Sequence, residues 1–407
     1  MSIIITIKLV GAFLAVLAVA IPILGLRERV PKGFSNGCRL RIFMVLVKMM
    51  LAVGWLLERV HMLSIIYVTN LILRIISRME PEKRKGRAKD TQFGGVVVRV
   101  YTPNLSAENK DGLYPGMVFY HGGGWAIGNT WIYDDFVLPI VNAVDIVVVS
   151  VEYRLAPKFK YPIPLDDCLA ATKYFMKNAS KFNVDPNRIA ICGDSAGGNL
   201  AAAVCLKLRD EKFKPMPKLQ VLIYPVLQSV DFALPSMIQN ADGPLLTTYW
   251  LTYYTSLYAT GSLKYAQAMC ENRHVEEATR KQLFDTYVNH DMLDMTYRSP
   301  PYRKPDMKGG DVEVWKNLKN VLLDPYFSPL LCNNLTGLPQ TFIYAAKYDV
   351  LRDEAILYAK RLKLYGVDVS YVVDEHALHG MCSFRHFFPK DSYNALNRIS
   401  KFLKENL

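Results

Sequence analysis

The stretch Gly193-Asp194-Ser195-Ala196-Gly197 decides the fold expected of this 407-residue chain. Its Gly-x-Ser-x-Gly pattern is typical of a sharp turn from a strand into a helix, where flanking glycines avoid clashes and the serine hydroxyl stands clear of the backbone. Residues 188–192, apolar after Arg188, predict a buried strand before the turn, and the alanine-rich residues 199–208 predict a helix after it. The serine would then lie at the positive end of a helix, where negative charge is stabilised.

A second motif, His121-Gly122-Gly123-Gly124-Trp125, follows another predicted strand at residues 116–120. Backbone NH groups of such a glycine-rich loop can complete an oxyanion hole. Each motif alone is common, but the two in this order, each after an apolar run, indicate hydrolysis by a serine nucleophile.

A serine nucleophile needs a base, and the base needs a carboxylate that fixes its tautomer. The histidines that follow Ser195 are His274, His290, His376, His379 and His386. Only His376 and His379 closely follow a predicted strand, residues 369–373, and so belong in a loop at the carboxyl edge of the sheet. We choose His379, because the neighbouring Gly380 lets that loop turn sharply, and regard His376 as a polar neighbour.

The acid is predicted at the end of another buried strand, residues 341–346, which leads into Asp349. Asp353 is the competitor, but the chain there predicts a helix over residues 353–364, which would place this carboxylate about one turn too far along. The alternative for Asp349 is a helix cap or an ordinary surface aspartate.

At these residues the chain resembles the hormone-sensitive-lipase branch of the α/β-hydrolases and, within it, the arylacetamide deacetylase-like membrane esterases. The resemblance covers about residues 90–407. It rests on six motifs in the family's order: His121-Gly122-Gly123-Gly124, Tyr153-Arg154-Leu155-Ala156-Pro157, Gly193-Asp194-Ser195-Ala196-Gly197-Gly198-Asn199, Asp324-Pro325-Tyr326-Phe327-Ser328-Pro329, Tyr348-Asp349-Val350-Leu351-Arg352-Asp353 and His376-Ala377-Leu378-His379-Gly380.

The resemblance implies an α/β fold with a central, mostly parallel sheet flanked by helices, a helical cap and an N-terminal membrane anchor. It also implies an esterase or deacetylase whose triad is Ser195, Asp349 and His379. The family's oxyanion motif falls on His121, Gly122 and Gly123, and its oxyanion donors fall on the NH groups of Gly123, Gly124 and Ala196. One departure concerns Ala126 and Ala346, where cysteines are expected in the deacetylase, so no disulfide is carried over.

The charge distribution and the cysteine spacing limit the kinds of partner that we expect. The formal net charge is +12, but residues 1–90 hold 15 Lys and Arg against 5 Asp and Glu, so the remainder of the chain is nearly neutral. Nothing therefore suggests an acidic substrate, and the basic residues 83–89 are interpreted as a linker or lipid-headgroup contact without nucleic-acid binding. The seven cysteines show no zinc-ligand spacing, and we expect neither a metal nor a cofactor.

The N-terminus predicts a membrane anchor. Residues 9–24 carry no charge, and residues 1–25 are just long enough to cross a bilayer. A cleavable signal peptide is the alternative. Residues 26–90 are expected to hold basic amphipathic helices at 42–57 and 62–76, which form part of a cap and lie on a membrane, or pack on the core without lipid contact.

Two arguments about orientation disagree. Arg27, Arg29, Lys32, Arg39 and Arg41 follow the apolar segment, and the positive-inside rule places the bulk of the chain in the cytosol. The family resemblance implies a type II anchor with the catalytic domain in the lumen of the endoplasmic reticulum, and we follow it. Glycosylation sequons at Asn104, Asn178 and Asn334 do not decide between them.

The catalytic domain is expected over residues 91–407, with a cap insertion at about 226–323. That insertion follows a predicted strand at residues 219–224, and its aromatic side chains fit an apolar pocket or the cap's own core. The expected substrate is an apolar ester or amide, either a small molecule or a lipid. The alternatives are a neutral lipid or sterol-ester hydrolase and a catalytically silent binding protein on the same fold.

Overall fold

A computed structural model describes residues 30, 34, 36–77, 87–103, 112–304, 309–385 and 387–407, so the expected anchor at residues 1–25 lies outside the described residues. Within these ranges the strands are β1 (Ala88–Phe93), β2 (Val96–Tyr101), β3 (Tyr114–Tyr120), β4 (Val147–Val151), β5 (Val184–Asp194), β6 (Leu219–Ile223), β7 (Gln340–Tyr348) and β8 (Val369–Leu378).

The α-helices in the same ranges are α1 (Gly37–Arg59), α2 (Ile65–Ser77), α3 (Asp134–Val144), α4 (Ile163–Lys177), α5 (Ala196–Asp210), α6 (Pro235–Gln239), α7 (Thr248–Thr260), α8 (Ala266–Cys270), α9 (Glu277–Thr286), α10 (Val312–Leu322), α11 (Arg352–Leu364) and α12 (Pro389–Asn406). Short 3-10 helices lie at Ala179–Phe182, His290–Met292, Met295–Arg298, Pro329–Leu331 and Met381–Ser383.

All eight strands form one sheet in the order β1-β2-β4-β3-β5-β6-β7-β8. The pairs β1–β2 and β2–β4 are antiparallel, and every pair from β4 to β8 is parallel. Strands β4 and β6 are buried throughout, because helices cover both faces of the sheet. This is the α/β architecture that the sequence predicts.

The two faces of the sheet carry separate apolar cores. Leu165 of α4, Leu200 of α5 and Leu357 of α11 belong to one core, whereas Phe136 of α3 and Ile399 of α12 belong to the other. Parallel strands between two such layers place their carboxyl ends at one edge of the sheet, and loops at that edge are the usual position of a functional site in this architecture.

The cap combines two parts of the chain. Helices α6 to α10 follow β6 and precede β7, within the long insertion that the sequence predicts. Helix α2 packs on them, since Ile65 shares a small apolar cluster with Tyr253 and Leu257 of α7.

Helix α1 packs against the segment of chain that follows β8. The ring of Phe43 lies 4.9 Å from the rings of Phe384 and Phe387 and 5.3 Å from that of Phe388. By length and composition α1 could cross a membrane. However, Leu40 and Met44, which lie near Phe43 on the same helix, are buried against the domain. The N-terminal half of α1 is therefore part of the domain's packing.

Candidate active site

Ser195 occupies a strained turn between β5 and α5. Its backbone angles, φ 55° and ψ −121°, lie where residues other than glycine are rare, and its amide donates to Ile223 O at 2.9 Å. A side chain at Gly193 would collide with the carbonyl of Gly197, and one at Gly197 would collide with the carbonyl of Tyr120. Both glycines are therefore required by close backbone packing around the serine.

The structure brings together the three residues that the sequence nominates for the triad. Ser195 Oγ lies 3.0 Å from His379 Nε2, and His379 Nδ1 lies 2.7 Å from Asp349 Oδ2. The other carboxylate oxygen of Asp349 accepts from the amide of Leu351 at 2.9 Å. With the Nδ1 proton directed to the carboxylate, Nε2 faces the serine hydroxyl as a proton acceptor.

The competing residues lie elsewhere. Asp353 is buried against Arg352 Nε at 2.8 Å and the amide of Ser236 at 2.6 Å, so its carboxylate is already engaged. His376 is exposed on β8. His274 and His290 contact Ser229 and Asp231 in the cap, and His386 lies outside the described residues.

The glycine loop presents free amides beside the serine. Gly123 and Gly124 adopt φ values of 114° and 59°, which suit glycine. In the part of the chain that the structure describes, the NH groups of Gly123, Gly124 and Ala196 donate to no protein acceptor. The NH of Ala196 also begins α5, where the helix dipole adds positive potential. Three amides are thus available for an anionic oxygen.

Gly122 has a different role from its two neighbours. Its NH donates to Asp194 Oδ1 at 2.7 Å and to the hydroxyl of Tyr133 at 3.0 Å. This amide therefore holds the loop in place and is not available to a substrate. Of the two glycines in the predicted oxyanion motif, Gly122 is engaged and Gly123 has no acceptor within the part of the chain that the structure describes.

Asp194 is a site residue that sequence reasoning missed, although it stands inside the serine motif. Its Oδ2 accepts from Tyr133 at 3.0 Å, and burial raises the pKa of its carboxyl group to about 7. The sequence signal for this role was the position of Asp194 between an apolar strand and an apolar helix. A carboxylate buried there needs hydrogen-bond donors around it.

His121 supports the loop from below. Its ring stacks on Tyr153 with centroids 4.3 Å apart, and its carbonyl accepts from the Tyr153 hydroxyl at 2.7 Å. Burial lowers the pKa of His121, which favours the neutral imidazole. The second family motif, which begins at Tyr153, therefore packs directly against the first.

The roof over these loops is apolar. A side chain at Gly124 would collide with the ring of Tyr254, and one at Gly380 would approach Leu245. The cap aromatics divide between the two expected roles: Tyr258 stacks on Trp125 in the core with centroids 4.4 Å apart, Tyr254 covers the glycine loop, and Tyr249 is exposed. Among the described residues, no three His, Cys, Asp or Glu side chains group as metal ligands.

Comparisons with known proteins agree with this geometry. A family model for the α/β hydrolase fold matches residues 117–299 and 294–383. Arylacetamide deacetylase of Bos taurus is 38% identical over 328 residues, covering 78% of this chain and 80% of the relative. Neutral cholesterol ester hydrolase 1 of Bos taurus is 37% identical over 334 residues, covering 79% and 80%. The solved esterase of Pyrobaculum calidifontis has a TM-score of 0.63 at 27% identity, covering 90% and 97%.

The chain therefore belongs to the α/β-hydrolase family. Within that family it is a carboxylic ester hydrolase, related to arylacetamide deacetylase and to neutral cholesterol ester hydrolase, and the resemblance inferred from the motifs is confirmed.

Proposed function

We propose that Ser195 Oγ attacks the carbonyl carbon of an apolar ester or amide while His379 takes its proton and Asp349 stabilises the charged imidazole. The amides of Gly123, Gly124 and Ala196 bind the resulting oxyanion. His379 then protonates the leaving group, which leaves an acyl-enzyme, and next activates a water that releases the acid. The continuous hydrogen bonds Ser195–His379–Asp349, at 3.0 and 2.7 Å, carry this proposal.

Replacing the nucleophile tests it. We expect Ser195→Ala to lower kcat for p-nitrophenyl acetate by at least about 10³-fold with an unchanged Tm, because the base then has no hydroxyl to deprotonate. A fluorophosphonate probe should label the wild-type protein and not the variant. A folded wild-type protein that neither hydrolyses esters nor reacts with the probe would instead favour the silent binding protein.

The substrate class follows from the roof. Tyr254 and Leu245 lie against the loops that carry the proposed oxyanion donors and His379, and these apolar neighbours support an apolar acyl or alcohol group. A second candidate, hydrolysis of neutral lipids or sterol esters, is favoured by the exposed apolar side chains of α1 and α2 beside this cap. Rates on aryl acetates, arylacetamides and long-chain glycerides, measured in parallel, separate the two candidates.

We further propose an anchor over residues 1–25, a membrane-proximal region over residues 26–90 and a catalytic domain over residues 91–407 with its cap insertion at about 226–323. The contact between Ile65 and α7 supports a cap built from both the second region and the insertion. The uncharged residues 9–24 support a membrane anchor.

The proposed orientation is type II, with the catalytic domain in the lumen of the endoplasmic reticulum. Asn334 is exposed within its sequon and is therefore accessible to glycosylation there. Endoglycosidase treatment of the membrane-derived protein should lower its mass, and Asn334→Gln should remove part of that change. An unchanged mass in the wild-type protein would favour the cytosolic orientation.

A further inference from the structure

The side chain of Asn70, in α2, is hydrogen-bonded to the glycine-rich loop. Its amide Nδ2 donates to the carbonyl of Ala126 at 3.0 Å, and its Oδ1 accepts from the amide of Gly128 at 2.9 Å. The two contacts use both ends of one planar amide, which fixes the distance and the angle between helix and loop. A helix more than fifty residues away in the chain therefore holds the loop's outer half.

The loop's inner half carries the proposed oxyanion donors. The amides of Ala126 and Ile127 donate to Gly123 O at 3.1 and 2.9 Å, so the two halves form one compact turn. The inner half is tied to the serine turn by the contact between Gly122 and Asp194, and the outer half is tied to α2 by Asn70. The positions of the free amides thus depend on both ties.

A neighbouring face of α2 is apolar and exposed. Ile65 and Val68 are buried, whereas Tyr67, Leu71 and Ile75, spaced one turn apart, are exposed by 55%, 43% and 55%. The same exposure continues along the end of α1 and the connecting turn, at Val53, Trp55, Leu56, Val60, Met62 and Leu63. We call α1, this turn and α2 the hairpin. Contiguous apolar exposure of this kind marks an interaction surface.

A lipid bilayer fits this surface best. The uncharged residues 9–24 end thirteen residues before Gly37, so an anchored chain must keep the hairpin at the membrane. The two helices hold five basic residues, Arg39, Arg41, Lys48, Arg59 and Arg74, against one acidic residue, Glu58, which suits contact with the phosphate groups of lipids. Because Leu40 and Phe43 are buried against the domain, α1 lies along the surface and does not cross the bilayer.

We propose that the hairpin rests on the bilayer and that Asn70 makes the geometry of the oxyanion loop depend on this contact, so that membrane placement sets the rate of ester hydrolysis. Asn70 is a positioning residue, since it acts through the loop and does not touch the substrate. The inference rests on the proposed role of the Gly123 and Gly124 amides.

The first test locates the hairpin. The full chain is placed in nanodiscs with lipids brominated on the acyl chains, and tryptophan fluorescence is compared between the wild type and Trp55→Phe. We expect quenching of the wild type to exceed that of the variant, because Trp55 is 55% exposed on the hairpin. Equal quenching of both proteins would show that this surface faces water or a protein partner, and would overturn the proposal.

The second test measures the coupling, again in nanodiscs and with soluble p-nitrophenyl acetate. Asn70→Leu keeps the size of the side chain but removes both hydrogen bonds. We expect its kcat to fall between about tenfold and 10²-fold with KM changed less than twofold, because small displacements of catalytic groups cost this much. Inhibition by a trifluoromethyl ketone, which forms a tetrahedral adduct, should weaken in parallel, while binding of a non-hydrolysable ether analogue should not.

A double-mutant cycle then tests whether the exposed apolar face of α2 and Asn70 act through the same contact. The triple variant Tyr67→Ser, Leu71→Ser, Ile75→Ser should also lower kcat, and adding Asn70→Leu should give no further loss, because both act through one contact. If the loss of kcat in the combined variant equals the product of the two separate losses, the proposed coupling is wrong. Wild-type kcat in Asn70→Leu would also overturn it. Ester hydrolysis lost in Ser195→Ala but intact in Asn70→Leu would leave the proposed function standing while this inference fails.

Discussion

The carboxylate of Asp194 accepts a hydrogen bond from the amide of Gly122 at 2.7 Å and so joins two motifs that lie 72 residues apart in the chain. The nucleophile turn and the glycine loop are thereby held as one unit, with Tyr133 bonded to both partners. The distance between the serine hydroxyl and the free amides of Gly123 and Gly124 consequently depends on this carboxylate.

We expect Asp194→Ala to lower kcat by about 10²-fold, because the loop loses its tie and the donors shift. Asp194→Asn should retain most of the activity, since its carbonyl oxygen can still accept from Gly122. Steady-state kinetics of the two variants with p-nitrophenyl acetate provide the measurement. Equal losses in both variants would show that the charge, and not the hydrogen bond, matters.

The raised pKa of Asp194 predicts a pH dependence of stability. Its value of about 7 exceeds the ordinary 3.8, so the folded state binds the proton more tightly than the unfolded state. The wild type should therefore lose stability relative to Asp194→Asn as pH rises from about 4 to about 7, by up to a few kcal/mol. Free energies of unfolding measured across this range test it, and a constant difference would contradict it.

Asp349 and Asp353 should respond differently to the same substitution. We expect Asp349→Asn to lower kcat by about 10⁴-fold with little change in Tm, because the imidazole would be held in the wrong tautomer. Asp353→Asn should instead lower Tm and leave kcat within about tenfold, since it removes the buried negative charge that faces Arg352. Kinetics and thermal unfolding of both variants provide the measurement. A large loss of kcat in Asp353→Asn, with only a loss of Tm in Asp349→Asn, would make Asp353 the acid of the triad.

The two histidines at the end of β8 form a similar pair. His379→Ala should lower kcat by about 10⁴-fold or more, because Ser195 loses its base. His376→Ala should retain wild-type kcat, since its side chain is exposed. Rates of fluorophosphonate labelling should follow the same order. A large loss in His376→Ala would require a different base.

Glycines near the serine should be far less replaceable than a surface glycine. We expect Gly197→Ala to abolish activity and destabilise the fold by more than about 4 kcal/mol, because its Cβ would overlap the carbonyl of Tyr120. Gly366→Ala is the control: its φ of 74° is unfavourable for any other residue, but no atom lies within 4 Å of an added Cβ, so it should cost only about 1–2 kcal/mol. Thermal unfolding measures both.

The sequence predicts the parts of the site that are set locally. Ser195, Asp349 and His379 each follow a recognisable strand, and parallel strands bring their carboxyl ends to one edge, so their meeting follows from order alone. Helix α5 begins at Ala196, directly after the serine, as the strand–turn–helix motif predicts, although helix propensity alone marks only residues 199–208.

The supporting contacts could not be predicted in this way. Asn70 meets the loop across 56 residues, and no motif marks it. A polar amide in an otherwise apolar stretch was the only signal, and it does not specify the partner. Likewise, Asp194 indicates a buried carboxylate in the sequence, but only the fold shows that Gly122 and Tyr133 surround it.

The packing of Phe43 has a practical consequence for anyone seeking a water-soluble form of this enzyme. Cutting the chain before β1 would uncover Phe384, Phe387 and Phe388, which closely follow His379. Such a fragment would keep every proposed catalytic group but would lose the packing of Phe43 against the segment that follows His379. The N-terminal half of α1, which follows the proposed anchor, is thus a component of the folded catalytic domain.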